Sequence, residues 1–155
     1  MKIAGIIPAR YASTRFPGKP LADIRGKSMI RRVWEQCTKA SCLDTVIVAT
    51  DDERIADHVR EFGEVVMTDP EHPSGTDRCR EALEKNGNRF DYVINIQGDE
   101  PLMKPGMIDQ LVAGMQESPA FVMGTLARPV ESAEVWANPN VVKVVFRSEE
   151  HTSEL

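Results

Sequence analysis

Cysteine is scarce: the 155 residues hold three, Cys37, Cys42 and Cys79. The number is odd and no C-x-x-C occurs, so neither a disulfide framework nor a zinc site is suggested, and buried, inert thiols are expected. No apolar run reaches the 18 residues of a membrane-span candidate. No secretory leader is expected either, because Lys2 runs directly into strand-like sequence. The expected compartment is cytoplasmic. An excess of positive charge is also missing. Lys and Arg number 19 against 24 Asp and Glu, a formal net charge of −5, which argues against a large nucleic-acid footprint. Neither the phosphate-loop pattern G-x-x-x-x-G-K-[ST] nor the dinucleotide pattern G-x-G-x-x-G is found. What is left is the composition of an ordinary soluble domain, 41% hydrophobic and 28% charged, in a chain long enough for one domain with a real core.

Along the chain, strand-like and helix-like patterns alternate. Ile3 to Ile7 is an apolar run that stops at Pro8, Thr45 to Thr50 is β-branched, Glu64 to Met67 is a brief strand, and Phe90 to Ile96 is the best central-strand candidate. Between them, Ser28 to Lys39 carries apolar residues at helical spacing with Ser28 as N-cap. A second helix runs from the acids Asp51, Asp52 and Glu53 to Gly63, a third from about Thr76 to Asn86 with Gly87 closing it, and a fourth from Pro105 to Met115. Phe121 to Leu126 and Asn138 to Phe146 read as further strands, with a short helix between Pro129 and Trp136. This order predicts an α/β fold, a mostly parallel sheet with helices on both faces.

Three loops at strand ends carry the chemistry. The first, Ile6-Ile7-Pro8-Ala9-Arg10-Tyr11-Ala12-Ser13-Thr14-Arg15-Phe16-Pro17-Gly18-Lys19-Pro20-Leu21, spaces three cations, Arg10, Arg15 and Lys19, along a stretch stiffened by prolines. A solvated basic loop looks the same on charge alone. Its place after a buried strand is also where α/β proteins bind phosphates, and an extended loop would wrap the three cations around one triphosphate. The second, Ser74-Gly75-Thr76-Asp77-Arg78, opens a helix; its hydroxyls either cap that helix or, with free backbone N–H groups, hold a polar ligand. His72 before it is read as packing the loop. In the third, Gln97-Gly98-Asp99-Glu100-Pro101, a carboxylate stands just past a buried strand beside a glycine that permits close approach. Such a carboxylate is either a surface acid in a turn or a magnesium ligand shared with phosphate. Asp51, which directly follows a strand end, is left open to a ligand contact.

The first loop resembles the N-terminal signature of the 3-deoxy-manno-octulosonate (KDO) cytidylyltransferase family. Gln97-Gly98-Asp99-Glu100-Pro101 resembles a second signature, and Asn138-Pro139-Asn140-Val141-Val142-Lys143-Val144-Val145 a third. Sialic acid cytidylyltransferases share the Ile-Pro-Ala-Arg opening but continue with Gly-Gly-Ser-Lys, which is not found here. The resemblance implies a Rossmann-like nucleotide-diphospho-sugar transferase fold and transfer of CMP from CTP to the keto sugar acid 3-deoxy-manno-octulosonate. The products would be CMP-KDO and pyrophosphate, for lipopolysaccharide assembly. By the same resemblance Ala9, Arg10, Arg15, Lys19, Ser74, Gly75 and Arg78 surround the nucleotide, and Arg15 and Gln97 meet the sugar. Asp99 holds Mg2+, and Arg10, Lys19 and Asp99 carry catalysis. Lys143 is read as a strand-edge charge. An 8-amino-KDO or sialic acid enzyme, a nucleotide-binding module without turnover, and a structural α/β domain are the alternatives.

The resemblance covers residues 1–146, the expected nucleotide-binding part. Family members continue further, with a second metal-ligand Asp, most sugar-binding side chains and the homodimer element, so this fragment is expected to be inactive alone. Residues 147–155, Arg-Ser-Glu-Glu-His-Thr-Ser-Glu-Leu, resemble residue for residue the conceptual translation of a short-read sequencing adapter, and a non-native tail is expected there. Source DNA whose coding sequence runs on past Phe146 would refute that.

Overall fold

The structure, a computed structural model, describes residues 1–12, 16–118 and 120–144. Along these run six strands and five helices: β1 (Ile3–Ala9), β2 (Asp23–Ile24), β3 (Lys27–Ser28), α1 (Met29–Cys37), β4 (Thr45–Thr50), α2 (Glu53–Arg60), β5 (Glu64–Met67), α3 (Gly75–Lys85), β6 (Tyr92–Asn95), α4 (Pro105–Glu117) and α5 (Ala133–Ala137). Four strands form one parallel sheet in the order β5-β4-β1-β6. The alternation of β1 assigns its faces. Ile3, Ile7 and Ala9 pack with Ile30 and Val33 of α1, Ile55 and Val59 of α2, and Ile108 and Val112 of α4. Ala4 and Ile6 point the other way, onto Cys79 and Ala82 of α3. Helices therefore cover both faces, as the strand–helix alternation predicts.

β1 runs through Pro8, where the sequence pattern ends it. Ile6 turns its carbonyl to β6, accepting from the Ile96 N–H at 2.9 Å. Pro8, two residues on, turns the same way, but the pairing with β6 ends at Ile6 opposite Asn95. A residue without an N–H costs no ladder bond there. Pairing with β4 continues to Ala9 opposite Thr50.

Ser28 caps α1 by accepting from the Arg31 N–H at 3.3 Å, as expected. Asp52 caps α2 and Ser74 caps α3. The short β2–β3 hairpin turns through Arg25 and Gly26, both at positive φ (51° and 80°), as a two-residue turn of this hand requires. Cys37 and Cys79 are buried and Cys42 is half-buried. Burial pushes the thiols up, to about 12 for Cys37 and Cys79 and about 11 for Cys42, where Asp109 adds to it.

Two expectations fail. Phe121–Leu126 forms no strand, and neither do residues 138–144; Val145 and Phe146 lie outside the described residues. Both stretches have a strand's composition, but a strand exists only where another edge accepts its N–H and C=O groups. Among the described residues no strand pairs with the outer edge of β6. The apolar side chains are left in solvent, with Val122 100% and Val142 92% exposed. Lys143 reaches the Asn138 carbonyl instead of standing on a strand edge. A hollow of about 740 Å³ lined by parts of residues 125–144 includes none of the expected site residues.

Candidate active site

In the order β5-β4-β1-β6, the second strand of the sheet lies on one side of β1 and the fourth on the other. The crevice beyond the C-terminal ends of β1 and β6 is thus a topological switch point, where open α/β sheets bind ligands. Ala9 ends β1 there, buried, and Arg10 follows it into solvent. Gln97, Gly98 and Asp99 follow β6. Gly98 approaches β1 closely: a Cβ on it would lie 3.0 Å from the Pro8 carbonyl oxygen. Gly75, the first residue of α3, packs on the other side of the same residue, its Cβ position 3.2 Å from Pro8 Cγ. The three motif-bearing loops therefore meet around Pro8.

The described ends of the cation loop meet. Gly18, at φ 71°, donates its N–H to the Tyr11 carbonyl at 2.9 Å and closes the loop at its neck. A 3-10 turn over Lys19–Leu21 comes next, anchored by buried Pro20. Lys19 Nζ lies 2.7 Å from Asp99 Oδ2, so one ion pair joins the first loop to the third. Arg10 reaches the other way and donates to the His72 carbonyl, joining the first loop to the second. Arg15, the third expected cation, falls outside the described residues.

The loop after β5 is held from below by Glu81. Its carboxylate accepts from the Asp69 N–H (2.8 Å), contacts His72 Nε2 and pairs with Lys85 (2.8 Å). Lys85 first, then the Asp69 N–H and His72, hold its carboxyl down to about 2. His72 thus packs the loop, as expected. Ser74 caps α3, accepting from the Asp77 N–H at 3.2 Å and donating to Asp77 Oδ2 at 2.6 Å. Thr76 accepts from Asn95 Nδ2 at 3.3 Å, which ties α3 to the end of β6.

Arg78 stands apart from the exposed site residues. Its side chain is fully buried, donating to the Thr68 hydroxyl and in ion-pair contact with Asp51 Oδ1 at 3.2 Å, without hydrogen-bond geometry. Nε and Nη2 have no hydrogen-bond partner. Burial lowers its pKa, Asp51 opposes that, and nearby Arg10 adds to the lowering. Arg78 therefore supports the β4, β5 and α3 loops from within. Asp51, left open to a ligand by its place in the sequence, is engaged by Arg78. No pattern in the sequence signals this pairing.

Among the described residues no three His, Cys, Asp or Glu side chains group closely enough to cage a metal ion. Asp99 lies at the crevice paired with Lys19, its side chain 49% exposed. An accessible carboxylate suits Mg2+, which takes one or two carboxylates and completes its shell with substrate phosphates and water. It does not suit the closed ligand sets of zinc or calcium.

Known proteins resemble this chain along nearly all of its length. The 3-deoxy-manno-octulosonate cytidylyltransferase of Syntrophobacter fumaroxidans is 57% identical over 150 residues, covering 94% of this chain and 59% of that protein. The enzyme of the same name from Syntrophotalea carbinolica is 53% identical over 146 residues, covering 94% and 58%. The chain thus spans somewhat over half the length of these relatives. A solved structure of CMP:2-keto-3-deoxy-manno-octonic acid synthetase complexed with CTP superposes with a TM-score of 0.74 at 45% identity, over 78% of this chain and 50% of that one. The parallel sheet and its flanking helices are thus those of a nucleotide-diphospho-sugar transferase fold. The cytidylyltransferase family model matches residues 4–154. With a match that takes in nearly every residue, and a fold that agrees with it, the chain belongs to the cytidylyltransferase family.

Proposed function

We propose that the chain is the nucleotide-binding part of an enzyme that transfers CMP from CTP to 3-deoxy-manno-octulosonate, releasing pyrophosphate, in the cytoplasm and for lipopolysaccharide assembly. The observation that carries this reading is the Lys19–Asp99 pair at 2.7 Å. It sets a cation and a carboxylate side by side at the switch point, although the two lie 80 residues apart. The names of the relatives, and the CTP held by the synthetase of similar fold, supply the nucleotide and the sugar.

Phosphoryl transfer of this kind depends on positioning and charge neutralisation more than on a covalent nucleophile. The sugar's anomeric hydroxyl attacks the α-phosphorus in line. A new P–O bond forms, the bond from the α-phosphorus to the bridging oxygen breaks, and the hydroxyl proton passes to water. Arg10 and Lys19 neutralise the triphosphate and then the departing pyrophosphate, with Arg15 as the third cation. Ala9, Ser74 and Gly75 border the nucleotide, Arg78 fixes the loops around it, and Gln97 faces the sugar. Asp99 would hold Mg2+, which when bound supplies charge neutralisation at the phosphates and a lowered hydroxyl pKa.

A second reading, nucleotide binding without turnover, is favoured by the lack, among the described residues, of any group of three side chains able to hold a metal ion. Isothermal titration of CTP with Mg2+ into the chain, with ATP as control, tests both. Saturable, Mg2+-dependent binding that prefers CTP supports a cytidine nucleotide site, and product formed on adding the sugar acid decides for turnover. A cooperatively folded chain that takes up neither nucleotide refutes both readings.

A further inference from the structure

We propose that Arg54 is a positioning residue for the cation loop: stacked on the Tyr11 ring, it pins the neck of that loop and so sets where Lys19 stands for a polyphosphate. The proposal rests on reading the crevice as a nucleoside triphosphate site.

The neck is one backbone hydrogen bond, from the Gly18 N–H to the Tyr11 carbonyl at 2.9 Å. The Tyr11 ring lies directly against Gly18, because a Cβ on that glycine would stand 3.1 to 3.2 Å from Cε2, Cζ and Oη. Ring and glycine therefore set each other's position. The turn beyond them is continuous with the neck. Leu21 donates to the Gly18 carbonyl at 2.9 Å and Ala22 to the Lys19 carbonyl at 3.1 Å, so the turn that carries Lys19 is built on Gly18. A shift of the ring is passed to Lys19 through one tight turn.

Arg54 lies over the Tyr11 ring, its guanidinium carbon 3.3 Å from the ring centroid. A planar guanidinium over an aromatic face is attracted by the ring quadrupole. The guanidinium is itself fixed. Nε donates to Asp52 Oδ1 at 2.9 Å and Nη2 to Asp52 Oδ2 at 2.6 Å. Asp52 is the N-cap of α2 and accepts the Arg54 N–H at 3.0 Å, so the end of β4, the cap, the guanidinium and the ring form one chain of contacts. The Asp52 carboxyl lies below its ordinary range, chiefly through Arg54. With its charge matched by Asp52, Arg54 acts on a bound anion through the loop it holds.

The test uses the whole chain with Arg54→Ala, Arg54→Lys and Tyr11→Phe. Two quantities are read: hydrogen exchange at the Gly18 amide by NMR, and the Kd for CTP with Mg2+ by titration. Arg54→Ala should speed exchange at Gly18 and weaken CTP binding by roughly two- to fivefold, the scale of a lost exposed stack. The weakening should persist at high salt, where a lost distant charge would be screened. Arg54→Lys keeps the charge without the fork and should fall between, while Tyr11→Phe keeps the stacking face and the slow exchange. Unchanged Gly18 exchange in Arg54→Ala overturns the proposal, as does unchanged CTP affinity or full rescue by lysine. Faster exchange in a chain whose wild type binds no CTP overturns the nucleotide reading and the proposal's ligand half, and supports the pinned neck.

Discussion

Replacing Asp51 with Asn removes the carboxylate that faces a guanidinium buried to 0% exposure. Arg78 then keeps its charge with one hydroxyl acceptor, Thr68, and with Nε and Nη2 already unpartnered. Breaking a buried pair from one side costs about 3–5 kcal/mol, because the stranded charge cannot rehydrate. Asp51 Oδ1, which faces the guanidinium, is itself shielded, but the Asp51 side chain as a whole is 17% exposed, so the site is not wholly dry and the lower end, about 3 kcal/mol, is expected. The opposite change, Arg78→Met, leaves a carboxylate whose side chain is partly exposed, though its Oδ1 is shielded, and forfeits one hydrogen bond, for about 1–2 kcal/mol. In urea, with a slope of about 1.5 kcal/mol/M, Asp51→Asn should lower the midpoint by about 2 M, and Arg78→Met by about 1 M. The double variant Asp51→Leu with Arg78→Met should be more stable than Asp51→Asn, since no charge is left inside. The order of the two single variants is the decisive result. Arg78→Met destabilising as much as Asp51→Asn, or Asp51→Asn costing under about 1 kcal/mol, would refute the account of an internal strut.

Three further outcomes are expected. The Asp99→Lys counterpart in the longer Syntrophobacter fumaroxidans relative should lower turnover by about a thousandfold or more, measured as pyrophosphate release; a near-normal rate would sink the metal role. Gly98→Ala places a Cβ 3.0 Å from the Pro8 carbonyl on the central strand, so the turn after β6 must yield and carry Asp99 off Lys19; nucleotide titration should show weaker binding, for a stability loss of about 1–2 kcal/mol. Glu81 lies near 2, below its ordinary value of 4.5, so its stabilisation is complete above about pH 4.5 and lost as the pH falls toward 2. The gap in melting temperature between wild type and Glu81→Gln should therefore close across that window, and a constant gap would contradict the assignment.

The strands β4 and β5 are legible in the sequence because each is a short run dominated by apolar and β-branched residues, with a helix start or a loop after it. Ser28 and Gly87 likewise announce the start of α1 and the end of α3 by local chemistry. Phe121–Leu126 and the stretch after Asn138 show where this fails. Their composition says what a strand would bury, and nothing in it says whether a free edge lies beside them. The β2–β3 hairpin has two-residue arms, too short to show a period. At the site, Lys19 and Asp99 are foreseeable as neighbours because both leave the same end of a parallel sheet. The Arg54 stack and the burial of Arg78 arise from contacts between segments far apart in sequence, which no window of local pattern reports.

The central place of β1 also bears on how the molecule is made. β1 can pair with β4 once the first fifty or so residues are free, but its other neighbour is β6, whose first paired residue is Tyr92. Closing that long loop is slow compared with local pairing. During synthesis the half of the crevice carrying Arg10 and Lys19 can therefore form well before the half carrying Asp99. Until β6 docks, Lys19 has no Asp99 beside it and one edge of β1 is bare, so a stalled or cleaved chain would present an open strand edge next to a cluster of uncompensated cations. Of the described strands, the last to join the sheet completes the crevice.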